Sequence, residues 1–428
     1  MIRTHILPCT VPRAVADTLN LASGAIYTQV LVSHWRVVRH QSHWLSEKAG
    51  TRWSDSRLPV KPLHAHSIDA AQQGFYHACR TTRALRKAGI PEAKFPHWRK
   101  RFRTTVWKNT AIKKVGTLLT LSNGKGNPPI TFTLPPSLAE VLRVLEVRLV
   151  YDRKARRYTW HVVVENGKQP LHAPAYAPGA RAVSVDLGEI HPAVIGDTDE
   201  ATIIGCRERR AQVQGHAKRL ASLAQAISRT KQGSRRQKKL ARTRTRLKAK
   251  HQRVMRDLEH KISRAIVEVA VERHAEVIAL GDIRDIADGI DKGAKHNQRM
   301  SQWSHGKVRT YVAYKAEAYG IRTVLQDEHH TSQTCPSCTH RHKPRGRRYV
   351  CRACGFSGHR DVVGQVNILS AYTYGAPGKL PAPTQVKYRI PHNLRVMRRC
   401  QDTGQAPQPV AWQPPVQLDF WCQEAAPL

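Results

Sequence analysis

Acidic residues are scarce in this chain: 31 Asp and Glu stand against 71 Lys and Arg in 428 residues, a formal net charge of +40. An excess of that size repels itself in a compact state unless a polyanion neutralises it, which points to nucleic acid met through its phosphates. The surplus is spread over most of the chain, so extensive contact is expected rather than one binding tail. Long uncharged apolar runs and a signal-peptide pattern are both missing, which argues against a membrane partner. Cysteine is also limited to nine, and five of these, Cys9, Cys79, Cys206, Cys400 and Cys422, form an odd and unpatterned set. They fit packing or surface positions in a reducing cytosol, not a disulfide framework.

The other four cysteines are patterned. Cys335-Pro-Ser-Cys338 and Cys351-Arg-Ala-Cys354 are separated by twelve residues. Two CxxC knuckles at this spacing each pinch one side of a tetrahedral Zn²⁺, and four thiolates leave no open position, so the ion is structural. The ribbon lies between two acids, Glu328 and Asp361, with a third, Asp186, far upstream. Phosphodiester hydrolysis commonly uses two divalent ions about 3.5–4 Å apart, and Mg²⁺ prefers carboxylate oxygens and retained waters. Such a site needs about three acids brought together from element ends, however distant in sequence. Asp186 ends the apolar run Ala182-Val-Ser-Val, where a lone buried carboxylate is costly without a cation or hydrogen-bond donor. Asp361 opens a helical pattern, where a capping role competes with a metal role.

Four regions organise the chain. Residues 1–103 begin with a strand over Thr4–Leu7 and continue in helical patterns at Val11–His40 and Ser67–Ala88. Trp35, Trp44, Trp53 and Trp98 alternate there with Arg and Lys. That interleaving serves to stack bases and hold phosphates, and packing of most of these tryptophans into a helical core is an equal reading. Residues 104–168 change period, with strand patterns at 116–121, 130–134, 141–151 and 158–164 divided by turn residues, as in a small antiparallel sheet or barrel. Residues 169–180 read as a linker. Residues 180–372 read as one α/β unit: a strand at Ala182–Asp186, a hairpin partner at Ala193–Ile195, helices at Arg207–Arg229 and Arg235–Val271, and strands at 277–280 and 321–325 around a helix at 306–320. Between Arg207 and Arg253, 17 Lys or Arg meet a single acid, Glu208. This exceeds what solubility needs, so a phosphate-contacting hairpin is expected, with Arg235, Arg236, Lys238, Lys239 and Arg242 as contacts. Residues 373–428, rich in Pro and Gln, read as a basic tail, largely extended or disordered.

Taken in order, Val185-Asp186-Leu187-Gly188, a strand, the basic hairpin, a further strand, Thr331-Ser-Gln-Thr-Cys335-Pro-Ser-Cys338, the second CxxC, and Arg360-Asp361 with Asn367-Ile368 resemble TnpB. TnpB is the transposon-encoded RNA-guided nuclease family related to the compact type V CRISPR effectors. The likeness covers residues 180–372 by motif and residues 1–168 by architecture only. It implies an α/β and β multidomain fold: a wedge-like β-barrel (1–10 and 104–168) with an inserted helical recognition lobe (11–103), then a RuvC nuclease domain of RNase H-like fold (181–334 and 355–372) with an inserted zinc ribbon (335–354). It implies Asp186 as the first RuvC acid and Asp361 as the last.

The middle acid departs from the family pattern. Where family members carry Glu-Asp, this chain has Gly281-Asp282. Gly281 has no side chain to bind a metal, and Asp282 faces the other way by strand alternation unless the turn re-aims it. Glu328, at the end of the next strand, is the preferred replacement, with Asp282 the alternative and Asp327 the neighbour if the register differs. In the opposing reading Glu328 and Asp282 are ordinary strand ends and the nuclease is dead. The resemblance thus implies an RNA-guided DNA endonuclease with structural Zn²⁺ and catalytic Mg²⁺, binding a guide RNA from its own locus and cutting a double-stranded DNA target beside a short motif. Lys108, Lys113 and Lys114 are candidate phosphate contacts. A monomeric protein in the RNA complex, in the cytoplasm and nucleoid-associated in a prokaryotic cell, is expected. The competing class is a nuclease-inactive RNA-guided DNA-binding repressor or blocker. A guide-independent resolvase-like nuclease or transposase leaves the N-terminal lobe without a use.

Overall fold

The computed structural model describes residues 2–57, 62–153, 155–165, 179–283, 293–344, 346–392 and 394, which fall into two compact units dividing after residue 169. Almost all of the linker expected at 169–180, and the tail beyond residue 394, lie outside the described residues.

In the first unit, period-two alternation in β6 (Arg143–Asp152) and β7 (Arg157–Glu165) puts Val147, Leu149, Trp160, Val162 and Val164 on one buried face. The flanking strands are β1 (Ile2–Pro8), which pairs with β7, and β2 (Thr105–Lys108), which pairs with β6, giving the antiparallel order β1-β7-β6-β2. A second antiparallel sheet comprises β3 (Ile112–Val115), β4 (Leu118–Leu121) and β5 (Ile130–Thr133). The two sheets share a core in which Phe132 of β5 stacks on Trp160 of β7 at 4.8 Å. Helix α1 (Arg13–Gln41) sets Ala16, Leu19, Ile26 and Val30 on its buried face at helical spacing. Its buried Asn20 is satisfied across to the strands, donating to the Leu149 carbonyl and accepting from the Thr105 backbone N–H and hydroxyl. Helices α2 (Glu47–Asp55) and α3 (Ala65–Lys87) pack on the far half of α1. There Trp35 and Trp44 join Phe75, Tyr76 and Phe95 in a second cluster, so these two tryptophans take the packing role.

The second unit is built on a six-stranded sheet in the order β12-β11-β8-β9-β10-β15. Its strands are β8 (Ala182–Asp186), β9 (Ala193–Gly196), β10 (Glu200–Ile204), β11 (Val277–Asp282), β12 (Arg322–Asp327) and, after the intervening β13 (Arg348–Val350) and β14 (Ser357–His359), β15 (Gln385–Arg389). β9 runs antiparallel to β8 and β10, whereas β11 and β12 run parallel with β8. One face receives the second half of α5 (Arg235–Glu272), whose Met255, Leu258, Ile262, Ala265, Ile266 and Val269 recur at helical spacing against Val183, Val185 and Ile195. α4 (Arg207–Ser228) pairs with α5, while α6 (Ala294–Ser301) and α7 (His305–Glu317) lead back towards β12. The other face receives α8 (Arg360–Tyr374), which packs on β8 and β9.

β15 extends the sheet into the stretch read from sequence as tail. It pairs in parallel with β10 and is tied by Lys387 to Glu200 at 2.5 Å and by Arg389 to Glu268 and Glu272. Those acids hold two basic residues of the tail within the fold.

Candidate active site

Asp186 is the last residue of β8, and alternation decides its direction. Val183 and Val185 face α5, so Ser184 and Asp186 face α8. At Gly364 of α8, a Cβ would come within 2.5 Å of Asp186 Oδ2. A residue with a side chain there would push against the carboxylate, so glycine is what admits it. Gln365, wholly buried, latches α8 to the sheet by donating to the Ser184 hydroxyl at 2.7 Å and the Gly196 carbonyl at 2.9 Å.

Glu328 lies two residues past Gln326, which is registered with Gly281. Leu280 pairs with Val185, so Gly281 and Asp186 follow abreast on adjacent parallel strands. The Glu328 side chain occupies the volume that a residue at 281 would use. A Cβ added to Gly281 would overlap the Glu328 carboxylate and lie 2.8 Å from its Cγ. Glu328 Oε1 is buried with no hydrogen-bond partner. The loop behind it is fixed by buried Asn367, which donates to the carbonyls of Thr331 at 2.7 Å and Thr334 at 2.8 Å, while Thr331 N–H returns to the Glu328 carbonyl.

Asp361 is the second residue of α8 and not its cap: His359 caps the helix, its Nδ1 accepting from the Asp361 backbone N–H at 3.2 Å. Its carboxylate pairs with Arg347 at 2.5 Å. Asp282 pairs with Arg309 at 3.3 Å, and Asp327 accepts from the His329 backbone N–H at 3.0 Å and is exposed.

Electrostatics tie three of the acids together. Burial, and then the charge of Asp361, raises the Asp186 carboxyl to about 7. Burial raises Glu328 to about 9, with the charges of Asp186, Asp282 and Asp327 adding to it. Carboxyls raised by burial and by one another's charge mark a region where a cation would be favoured. Asp186, Glu328 and Asp361 do not close into a single tight cluster. Among the described residues, the sets whose ligand atoms lie within 4.8 Å of one another are the four cysteines, and His191 with His359 and Asp361. His191 carries no signal in the sequence pattern, whereas His359 stands two residues before Asp361. Gln365 and Asn367 had a signal, as polar residues inside the apolar run Val362-Val-Gly-Gln-Val-Asn-Ile-Leu369.

The four cysteines fit zinc. Cys335 Sγ lies 3.7 Å from Cys354 Sγ, and Cys338 Sγ 3.5 Å from Cys351 Sγ. Zn–S bonds of about 2.3 Å in a tetrahedron put sulfurs about 3.8 Å apart. The antiparallel pair β13 and β14 supports the second knuckle and carries the ribbon on to His359, beside the acids.

On the first half of α5, Arg235, Lys238, Lys239, Arg242 and Arg246 line one exposed surface, with Arg236 exposed beside them. None of the six has an acidic partner among the described residues. Lys113 is exposed, whereas Lys108 donates to Gln73 at 2.9 Å and Lys114 to the Ala139 carbonyl at 2.5 Å.

Two family models match the second unit and the residues leading into it. The family described as a probable transposase, OrfB of IS605, matches residues 161–287, and the Cas12f1-like TNB domain matches residues 305–368. A TnpB-like protein of Methanocaldococcus jannaschii is 27% identical over 121 residues, 28% of this chain and 43% of that protein. The CRISPR-associated endodeoxyribonuclease Cas12f1 of Sulfoacidibacillus thermotolerans is 30% identical over 114 residues, 26% of this chain and 25% of that protein. The matched stretches thus span less than half the length of these curated relatives. Among solved structures, a Cas12f1–sgRNA–target DNA complex aligns with a TM-score of 0.57 at 12% identity, covering 83% of each chain. The mini RNA-guided endonuclease CRISPR-Cas phi3 aligns with a TM-score of 0.52 at 10% identity, covering 89% of this chain and 94% of that one. These likenesses show a shared mixed α/β fold. Among the described residues, no helix is long and apolar enough to cross a membrane.

Proposed function

We propose that this chain, a TnpB-family protein close to the compact type V CRISPR effectors, is an RNA-guided DNA endonuclease whose middle acid has moved from position 281 to Glu328. The observation that carries the reading is the Glu328 carboxylate, partnerless and filling the volume of the missing side chain at Gly281 beside Asp186. Asp186, Glu328 and Asp361 sit at or just past the ends of elements on one side of the sheet, where ligands of open α/β sheets bind. These three would hold Mg²⁺, which when bound lowers the pKa of a water and steadies the leaving oxygen. Gly364, Gln365 and Asn367 hold the carboxylates in place, and Arg347 balances Asp361. The sheets of residues 1–10 and 104–168 support a wedge, and α1 to α3 support a recognition lobe carrying guide and motif contacts. A guide RNA would neutralise the cationic face of α5, and pairing with that guide would select the DNA strand. The four cysteines would keep Zn²⁺ as a structural support.

One observation favours a guide-dependent binder that does not cut: Arg347 occupies a carboxylate oxygen of Asp361. Plasmid cleavage by protein copurified with RNA from its locus, with the guide retargeted and a randomised flanking motif, separates the two. Guide-dependent and Mg²⁺-dependent cutting that Asp186→Ala abolishes supports the nuclease. Guide-dependent binding without cutting supports the blocker.

A further inference from the structure

Trp98 keeps 73% of its surface exposed, although the large apolar area of an indole makes its burial favourable in most folds. It stands in the run His97-Trp-Arg-Lys-Arg101, in which every residue is exposed. The other tryptophans of this region are engaged: Trp35 and Trp44 pack in the helical cluster, and Arg57 covers the ring of Trp53 at 3.8 Å.

The segment carrying Trp98 is held firmly on both sides. Upstream, Trp35 Nε1 donates to the Pro96 carbonyl at 2.8 Å. Downstream, Lys100 N–H donates to the Thr28 hydroxyl at 2.9 Å, which returns a bond to the Lys100 carbonyl at 3.1 Å, and Arg103 N–H donates to the Asn20 carbonyl at 3.0 Å. The backbone runs so close to α1 that a Cβ at Gly24 would stand 2.6 Å from the Lys100 carbonyl oxygen. His97 leans on the indole with ring centroids 5.2 Å apart. The result is a preorganised ring presented to solvent, followed at once by three cations.

We propose that Trp98 is a stacking platform for an unpaired nucleobase, with Arg99, Lys100 and Arg101 holding the flanking phosphates of a single strand. A flat aromatic face accepts any base without reading it, and adjacent cations track the backbone. A duplex keeps its bases stacked on each other, so the ring favours a single-stranded segment, either in the guide RNA or in opened target DNA. The inference rests on the nucleic-acid-binding part of the function proposed above and not on cleavage.

The test is equilibrium binding of fluorescein-labelled single-stranded RNA, single-stranded DNA and duplex DNA to the full chain, wild type beside Trp98→Ala and Trp98→Phe. Trp98→Ala should weaken binding of at least one single strand about tenfold, leave the duplex unchanged and be largely rescued by Trp98→Phe. Which strand loses affinity tells the guide from the target. Equal single-strand affinity in Trp98→Ala, a loss confined to duplex, or failure of Phe to rescue would overturn it. If the wild type binds no nucleic acid at all, the broader function fails with it.

Discussion

Replacing Glu328 by Gln should make the protein more stable than the wild type at pH 8 when no divalent ion is added. The carboxyl of Glu328 titrates at about 9 in the fold against an ordinary value of 4.5. Between those values the folded state keeps a proton that the unfolded state has released, so stability falls as pH rises through the window. At about 1.4 kcal/mol per pH unit, the cost at pH 8 has an upper bound of about 5 kcal/mol, and it shrinks to nothing near pH 4.5. Glutamine keeps the shape and has no proton to lose. Melting temperature should therefore rise in the variant by about 2–4 °C for each kcal/mol recovered. Mg²⁺ favours the ionised carboxylate, so adding it should stabilise the wild type and narrow the gap. The assay is a series of thermal melts at pH 5, 6, 7 and 8, free of chelator so that the ribbon keeps its metal, with and without Mg²⁺. A gap that does not change with pH, or a variant less stable at pH 8, would refute the reasoning.

Three other perturbations follow from the same geometry. Gly281→Ala should displace the Glu328 carboxylate and cost about 1–3 kcal/mol in denaturant unfolding, and much of this should return in the double variant with Glu328→Ala. Cys338→Ser should abolish stoichiometric zinc, measured by elemental analysis, and lower the melting temperature, because metal binding and folding of the ribbon are coupled. Changing Arg235, Lys238, Lys239 and Arg242 together to Ala should lower the slope of log affinity for single-stranded RNA against log salt by about three, at about 0.7 per lost phosphate contact. An unchanged slope would remove this face of α5 from the interface.

Much of this architecture is legible in local sequence. The paired CxxC knuckles, the apolar run ending at Asp186 and the helical periods of α1, α3 and α5 are each fixed by residues close together in the chain. Short or polar elements carry less signal. α2 (Glu47–Asp55) is only nine residues long and mostly polar, and its start is marked mainly by the Ser46 cap. β15 reads as tail in the sequence because its place depends on register with β10, nearly two hundred residues earlier, and on acids of α5 that its sequence does not announce. The site divides in the same way. Asp186, Glu328 and Asp361 stand out at element ends, but the direction of Glu328 depends on volume left open at Gly281 of a neighbouring strand. His359 stands two residues before Asp361 and caps its helix, whereas Arg347 and His191 come from other loops, and only the fold brings them there. The alternating tryptophans show the limit of composition: packing claims Trp35 and Trp44, while Trp98 alone is left largely exposed among the four.

The transfer of the middle acid to Glu328 is tested most directly by guide-dependent plasmid cleavage in Mg²⁺, comparing Glu328→Gln with Asp282→Asn in protein that still binds its RNA. The expected result is loss of cutting in Glu328→Gln and retained cutting in Asp282→Asn. Full cutting by Glu328→Gln, with loss in Asp282→Asn, would contradict it and return the role to the residue beside Gly281.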